Sequence, residues 1–114
     1  MELVESLQGT VKVVAVTGRI DQSSAGAFQE KLAPWLSECK AGAAAVLLDF
    51  SGVDYISSVG LRVLMLAAKQ VKGQSGKIAI AALTPNVAEV FQISRFNLVF
   101  AVHPDVATAV ASLG

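Results

Sequence analysis

Two adjacent hydroxyls, Ser57 and Ser58, stand where an apolar run gives way to a helical pattern, within Leu48-Asp49-Phe50-Ser51-Gly52-Val53-Asp54-Tyr55-Ile56-Ser57-Ser58-Val59-Gly60-Leu61-Arg62. The place matters because the first N–H groups of a helix lack intrahelical partners and carry partial positive charge. A bare serine there caps the helix. A phosphorylated one sets a charge of about −1.5 to −2 at the pole that stabilises an anion. Gly60 lowers helix propensity by about 1 kcal/mol relative to alanine. Its presence suggests a compensating use, room for a partner to approach the backbone. From residue pattern alone both capping and modification of Ser58 stay open, and capping is the simpler reading.

The rest of the reactive inventory is sparse. One histidine, His103, and one cysteine, Cys39, cannot supply the usual zinc ligand set. His103, directly before Pro104, reads as a turn residue, and Cys39 as a small hydrophobe near a helix end. No GxxxxGK[ST] or GxGxxG loop is present to cradle phosphates. Ile56 stands where a nucleophile elbow needs glycine before Ser58, and Leu61 where a Ser-x-x-Lys pair needs lysine. Asp21 and Asp54 can be proposed as paired carboxylates, but nothing in the sequence sets their distance. No catalytic constellation is complete, and neither an enzyme, a metal site nor a cofactor is expected.

Composition narrows the class further. The chain has 114 residues, nine Lys+Arg against nine Asp+Glu, and 54% hydrophobic residues. That apolar fraction excludes intrinsic disorder, and the length suits one domain over 1–114. A zero charge balance without a basic block argues against a general nucleic-acid binder and an anionic-membrane binder. Charged residues make up 16% of the chain. An ordinary soluble domain carries roughly 25%, so this one has little charge to spread over its surface. The densest apolar stretch is 43–48. Spanning a bilayer takes a far longer run, roughly 20 residues. The start Met1-Glu2-Leu3-Val4-Glu5 lacks the basic and apolar regions of a signal peptide. With a lone cysteine, the cytoplasm is the expected compartment.

Elements that would position the serines follow from periodicity. Residues 3–7 and 11–16 read as strands joined by Gln8-Gly9-Thr10 into an antiparallel hairpin. Ala25, Phe28, Leu32, Leu36 and Cys39 recur at helical spacing, with Ser23 or Ser24 as N-cap, and Pro34 should bend or break that helix. The run 45–50 reads as a strand buried on both faces, 57–72 as a helix ended by Gly73, and 77–81 as another buried strand, together a right-handed βαβ unit. A helix over 85–93 with Thr84 as cap, a strand over 97–102 and a helix over 104–113 complete an α/β fold with a mixed sheet. The helix from Ser58 advances about 100° per residue. Gly60, Leu61, Leu64, Ala67, Ala68 and Val71 then form the face expected to pack on the sheet. Ser58, Arg62 and Lys69 lie opposite, flanked by Met65 on one edge and by Val59 and Leu66 on the other. That outer face resembles a docking surface with a modifiable centre.

The motif Asp49-x-Ser51-x-Val53-x-x-Ile56-Ser57-Ser58-x-Gly60-Leu61, with Gly18-Arg19-Ile20-Asp21 after the second strand, resembles the signature of the STAS domain family, the anti-sigma factor antagonists. The resemblance covers essentially the whole chain. It implies a mixed sheet of four to five strands with an N-terminal hairpin and about four helices packed mainly on one face. It also implies partner switching. The bare domain binds an anti-sigma factor that is a serine kinase of the GHKL type, and the sigma factor is freed. The kinase, with its own ATP and Mg, phosphorylates the domain, which lets go, and a PP2C-type phosphatase resets it. Alignment on Gly60-Leu61 puts Ser58 on the family's acceptor serine and Asp21 on its loop aspartate, with Asp54 and Gly60 as neighbours. Ser57 and Val59 replace the aspartate and second serine of the sporulation-type pattern, which leaves Ser57 as an alternative acceptor. Val59, Arg62, Met65, Leu66 and Lys69 would meet the kinase. A different job on the same fold is that of a non-phosphorylated adaptor subunit of a transporter or sensory complex.

Overall fold

The computed structural model describes residues 1–114. Strands β1 (Glu2–Gln8) and β2 (Val11–Thr17) form the expected hairpin, paired from Glu2↔Thr17 to Gln8↔Val11. Gly9 has a positive φ of 62°. It supplies the left-handed backbone that the two-residue turn requires. Strand β3 (Ala45–Gly52) pairs parallel with β2, β4 (Ile78–Ala81) with β3, and β5 (Ala101–His103) with β4, giving the order β1-β2-β3-β4-β5.

Alternation within the three central strands sorts the core into two layers. Val14 and Val16 of β2, Val46, Leu48 and Phe50 of β3, and Ile80 of β4 face the larger layer. There they meet α1 (Ala25–Glu38) through Phe28 and Leu32, α2 (Ser58–Gly73) through Leu64 and Ala67, and α3 (Pro85–Ile93) through Val87 and Phe91. Val11, Val13, Leu47, Ala79 and Ala81 face the other way, toward Ala109 of α4 (Val106–Leu113). Alanines at 79, 81 and 109 let that last helix lie close to the sheet. Cys39 is fully buried, and its thiol donates to the Lys77 carbonyl at 3.1 Å. Burial pushes its pKa up, as suits a core residue.

Several local expectations change. Pro34 does not break α1, which runs through it. Buried Leu32 and Leu36 hold the helix on either side, and Trp35 Nε1 donates to Glu5 Oε1 at 2.6 Å. The expected strand over 97–102 is instead a 3₁₀ turn at Phe96–Leu98 followed by the short β5. Phe96 and Phe100 are both buried, and the Phe100 N–H donates to the Phe96 carbonyl at 3.0 Å, so the two anchors wrap the chain into a turn. His103 ends β5, and its carbonyl accepts from Ala82 N at 3.1 Å, so it is not a turn residue. The last helix starts later than Pro104. Asp105 is its cap, and the carboxylate accepts from Thr108 N at 2.7 Å.

Pro34 is exposed and withholds one helical N–H. Pro34→Ala should therefore stabilise the fold by about 1–3 kcal/mol, read as a higher urea midpoint at unchanged slope.

Candidate functional site

The site is built where the ends of β2 and β3 lean on each other. After Ala15↔Asp49 the register shifts, and Thr17 pairs with Gly52. Gly18, at φ 115°, donates its N–H to the Gly52 carbonyl at 3.0 Å. The following loops then pair as well. Ile20 N donates to Tyr55 O at 2.9 Å, Ser57 N donates to Ile20 O at 2.8 Å, and Ile20 and Ile56 form a parallel bridge. Both isoleucine side chains are buried.

Gly60 packs directly on this bridge. A Cβ on it would lie 2.6 Å from Ile20 Cγ2 and 2.8 Å from Ile56 Cγ1. The room expected for an outside partner is thus taken by the chain's own isoleucines, because Gly60 faces the core. The same helix buries Val63, outside the expected face, because α2 packs on α1 as well as on the sheet and its covered arc is wider.

The two serines have separate surroundings. Ser57, not Ser58, is the N-cap of α2, with its Oγ accepting from Gly60 N at 3.2 Å. Ser57 is half-buried. Ser58 is the first helical residue, exposed, and its hydroxyl makes no hydrogen bond in the protein. The N–H groups of Ser58 and Val59 have no backbone partner, whereas Leu61 N donates to Ser57 O at 2.9 Å.

Asp21 does not bond to Ser58. Its Oδ1 accepts from the Ser23 hydroxyl at 2.7 Å, from Ser23 N at 3.0 Å and from Ser24 N at 3.1 Å. Ser24 Oγ in turn donates to the Arg19 carbonyl at 2.6 Å and accepts from Asp21 N at 3.0 Å. This network ties the 18–21 loop to the start of α1. The Ser23 hydroxyl is the main cause holding the Asp21 carboxyl below its ordinary range. Asp54 is exposed in the facing loop and makes no hydrogen bond or ion pair. Arg19 lies over the Tyr55 ring, 4.3 Å from its centroid, so a cation and an aromatic close this rim.

Along the outer face of α2, Arg62, Met65, Leu66 and Lys69 line with Ser58 an open groove of about 420 Å³, completed by Leu61 and Phe96. Val59 stands beside it, 41% exposed, while Met65 and Leu66 are 38% and 46% exposed. These are large apolar side chains left uncovered next to a free hydroxyl and two cations. Phe96 and the Arg19–Tyr55 pair were not singled out from sequence. Arg19 lies in the Gly-x-Ile-Asp turn itself, whereas nothing in the sequence pattern relates Phe96 to a helix so much earlier in the chain.

A family profile described as STAS domain matches residues 4–109. The chain belongs to the STAS domain family. It is 37% identical over 90 residues to BtrV of Bordetella bronchiseptica, named a putative anti-sigma factor antagonist, across 79% of this chain and 75% of that protein. The crystal structure of an anti-sigma factor antagonist from Mycobacterium paratuberculosis superposes with a TM-score of 0.86 at 21% identity, covering 98% of this chain and 92% of that one. The Bacillus cell fate determinant SpoIIAA in its phosphorylated form superposes with a TM-score of 0.69 at 12% identity, covering 99% and 100%. The five-stranded mixed sheet with four helices is thus the STAS fold.

Within this STAS domain the Gly60 contact makes the same substitution act in opposite directions at two places. Gly60→Ala should destabilise by about 1–3 kcal/mol through overpacking. At Gly26 an added Cβ meets nothing within 4 Å. Gly26→Ala should therefore stabilise by about 0.5–1 kcal/mol. Urea unfolding of both variants checks the pair. A second expectation concerns Asp21, whose folded pKa is depressed. Its contribution is fully present above the unfolded value of about 4 and is lost as pH falls through the folded one. Carboxyl NMR titration should give Asp21 a midpoint below that of the unfolded chain, and Ser23→Ala should move it up.

Proposed function

We propose that this STAS domain is an anti-sigma factor antagonist whose binding is switched by phosphorylation of Ser58. In the serine pair only Ser58 presents an exposed, uncommitted hydroxyl, at the mouth of an apolar and cationic groove. Ser57, the alternative acceptor, holds the cap. The bare domain docks through Val59, Arg62, Met65, Leu66 and Lys69 onto an anti-sigma factor that is itself a serine kinase of the GHKL type, and the sigma factor is released. Relatives named as antagonists of anti-sigma factors support this choice of partner.

In the transfer step Ser58 Oγ attacks the γ-phosphorus of the kinase's ATP, its proton passes to a base of the kinase, and ADP leaves. The domain contributes no catalytic group, metal or cofactor. It contributes a positioned hydroxyl. Asp21 acts through the loop: its bonds to Ser23 and Ser24 keep Ile20 where the Ser57 N–H and Gly60 seat the first turn. The phosphate is held locally by the open N–H groups of Ser58 and Val59 and by the helix pole. Its charge and bulk stand in the middle of the contact, so affinity falls while the fold is kept. A PP2C-type phosphatase hydrolyses the ester and restores the binding form. The cycle belongs in the cytoplasm, with the ATP and the sigma factor.

The test uses purified GHKL-type anti-sigma factors with ATP, read by intact mass with site mapping and by binding. Wild type should gain one phosphate at Ser58. Ser58→Ala should take up none and still bind, and Ser58→Asp should bind at least about tenfold more weakly, roughly 1.4 kcal/mol. Ser57→Ala should lose about 1 kcal/mol of stability with its cap and still be labelled at Ser58. Label on Ser57, or on Ser58→Ala, overturns the assignment. Stable binding with no label on any serine would instead mark the chain as an adaptor subunit.

A further inference from the structure

The docking groove does not end with Lys69. That residue also lines a second open groove of about 720 Å³, which continues between the C-terminal half of α2 and the 3₁₀ turn at Phe96–Leu98. The second groove has Val71 and Ile78 among its apolar lining, Lys72 and Lys77 among its cations, and Leu98 and Val99 on the side of the turn. Leu98 is 77% exposed. From Ser58 to Lys72 the helix rises roughly 20 Å. The two grooves share Lys69 and together follow that length as one furrow, which passes from the outer face of α2 to its edge at Ala68 and Val71.

Charge along this furrow has one sign. Arg62, Lys69, Lys72 and Lys77 line it, four of the chain's nine cations, and none of its nine carboxylate residues does. The ion pairs of the protein lie elsewhere, at Lys12–Glu38 and Arg19–Asp21. A neutral molecule has thus gathered a run of unpaired cations beside uncovered apolar side chains. Cations spaced along one side of an apolar trough complement a chain segment carrying carboxylates along one edge and aliphatic side chains along the other. A flat anionic membrane fits less well, because the apolar lining includes buried Val71 and half-buried Ile78, below the reach of a planar surface.

We propose that the furrow beyond Ser58, formed by Lys69, Lys72, Lys77, Leu98 and Val99, binds an acidic amphipathic segment of the protein partner. The proposal rests on the partner-binding reading of α2 and names what its distal half recognises. That half is remote from the modified serine, so it adds affinity and partner choice, while Ser58 controls occupancy at the other end. The furrow as a whole, from Ser58 to Lys72, has the length of about four helical turns or about six extended residues of the partner, and its distal half takes one end of such a segment.

The probe is a fluorescein-labelled helical peptide of about 16 residues, with leucines at i, i+4, i+7 and i+11 and glutamates beside them, titrated into the ¹⁵N-labelled full chain without kinase or ATP. Amide shifts should move at Lys69, Lys72, Lys77, Leu98 and Val99, and added salt should weaken binding. Lys72→Glu with Lys77→Glu should weaken it at least about tenfold, with Lys72→Ala and Lys77→Ala as the milder pair if the first fails to fold. The same peptide with lysine for glutamate should not bind. Shifts confined to other surfaces, equal binding by the lysine peptide or by the variants, or no binding at about 1 mM peptide would overturn the proposal. So would capture of the chain by phosphatidylserine vesicles with shifts in the same furrow and none from the peptide. Because no kinase is present, failure here is distinct from failure of Ser58 to be phosphorylated.

Discussion

The packing of Gly60 on Ile20 and Ile56 joins three parts of the molecule that are otherwise far apart in sequence. Ile20 belongs to the loop after β2, Ile56 to the loop after β3, and Gly60 to the first turn of α2. Parallel strands end side by side, so their following loops emerge together and continue the pairing for one more bridge. A helix can start directly on that bridge only if its inward residue has no side chain. With a Cβ at position 60 either the two isoleucine side chains or the first turn must shift, and a shift of the turn would carry every group on its outer side with it. The site's geometry therefore follows from the close seating of the Gly60 backbone on two isoleucine side chains, and the Ser58 hydroxyl inherits its position from it.

This arrangement divides the work between neighbouring residues. Ser57 faces back, caps α2 with its side chain, and donates its N–H to the loop of Ile20. Ser58 faces out and contributes nothing to the fold that a phosphate would remove. Asp21 stands in the neighbouring loop after β2, as the acceptor that organises Ser23 and Ser24. A modification at Ser58 therefore adds charge to the surface without withdrawing a hydrogen bond from the interior. That is the physical condition for a switch that changes affinity and leaves the scaffold intact.

Much of this was legible in the sequence because the signals were local. The apolar runs at β2, β3 and β4, the helical spacing of Phe28, Leu32 and Leu36, and Pro85 at a helix start each follow from a handful of adjacent residues. The outer face of α2 followed from helical periodicity alone. What was not legible depends on long-range contact. Which serine caps and which is free turns on where the helix axis begins, set by the bridge to Ile20 and not by the serines. Gly60 looked like space for a partner because its neighbours, the distant Ile20 among them, are invisible to a window along the chain. The 97–102 segment is apolar enough for a strand, and only the burial of Phe96 beside Phe91, ring centroids 5.6 Å apart, turns it into a 3₁₀ anchor.

That same anchor bears on the low charge of the chain. Buried parallel strands and alanine-rich helices account for part of the 54% hydrophobic content. Met65, Leu66, Leu98 and Val99 are not needed by either core layer, since they remain exposed after the fold is complete. They gather where the Phe96 turn approaches α2, together with four cations and no carboxylate residue. On a molecule of zero net charge, a surface of this kind does little for solubility, which mixed-sign charges would serve better. The turn that displaces the expected strand thus builds the far wall of the furrow. The departure from local strand propensity and the uncovered apolar surface have one physical origin.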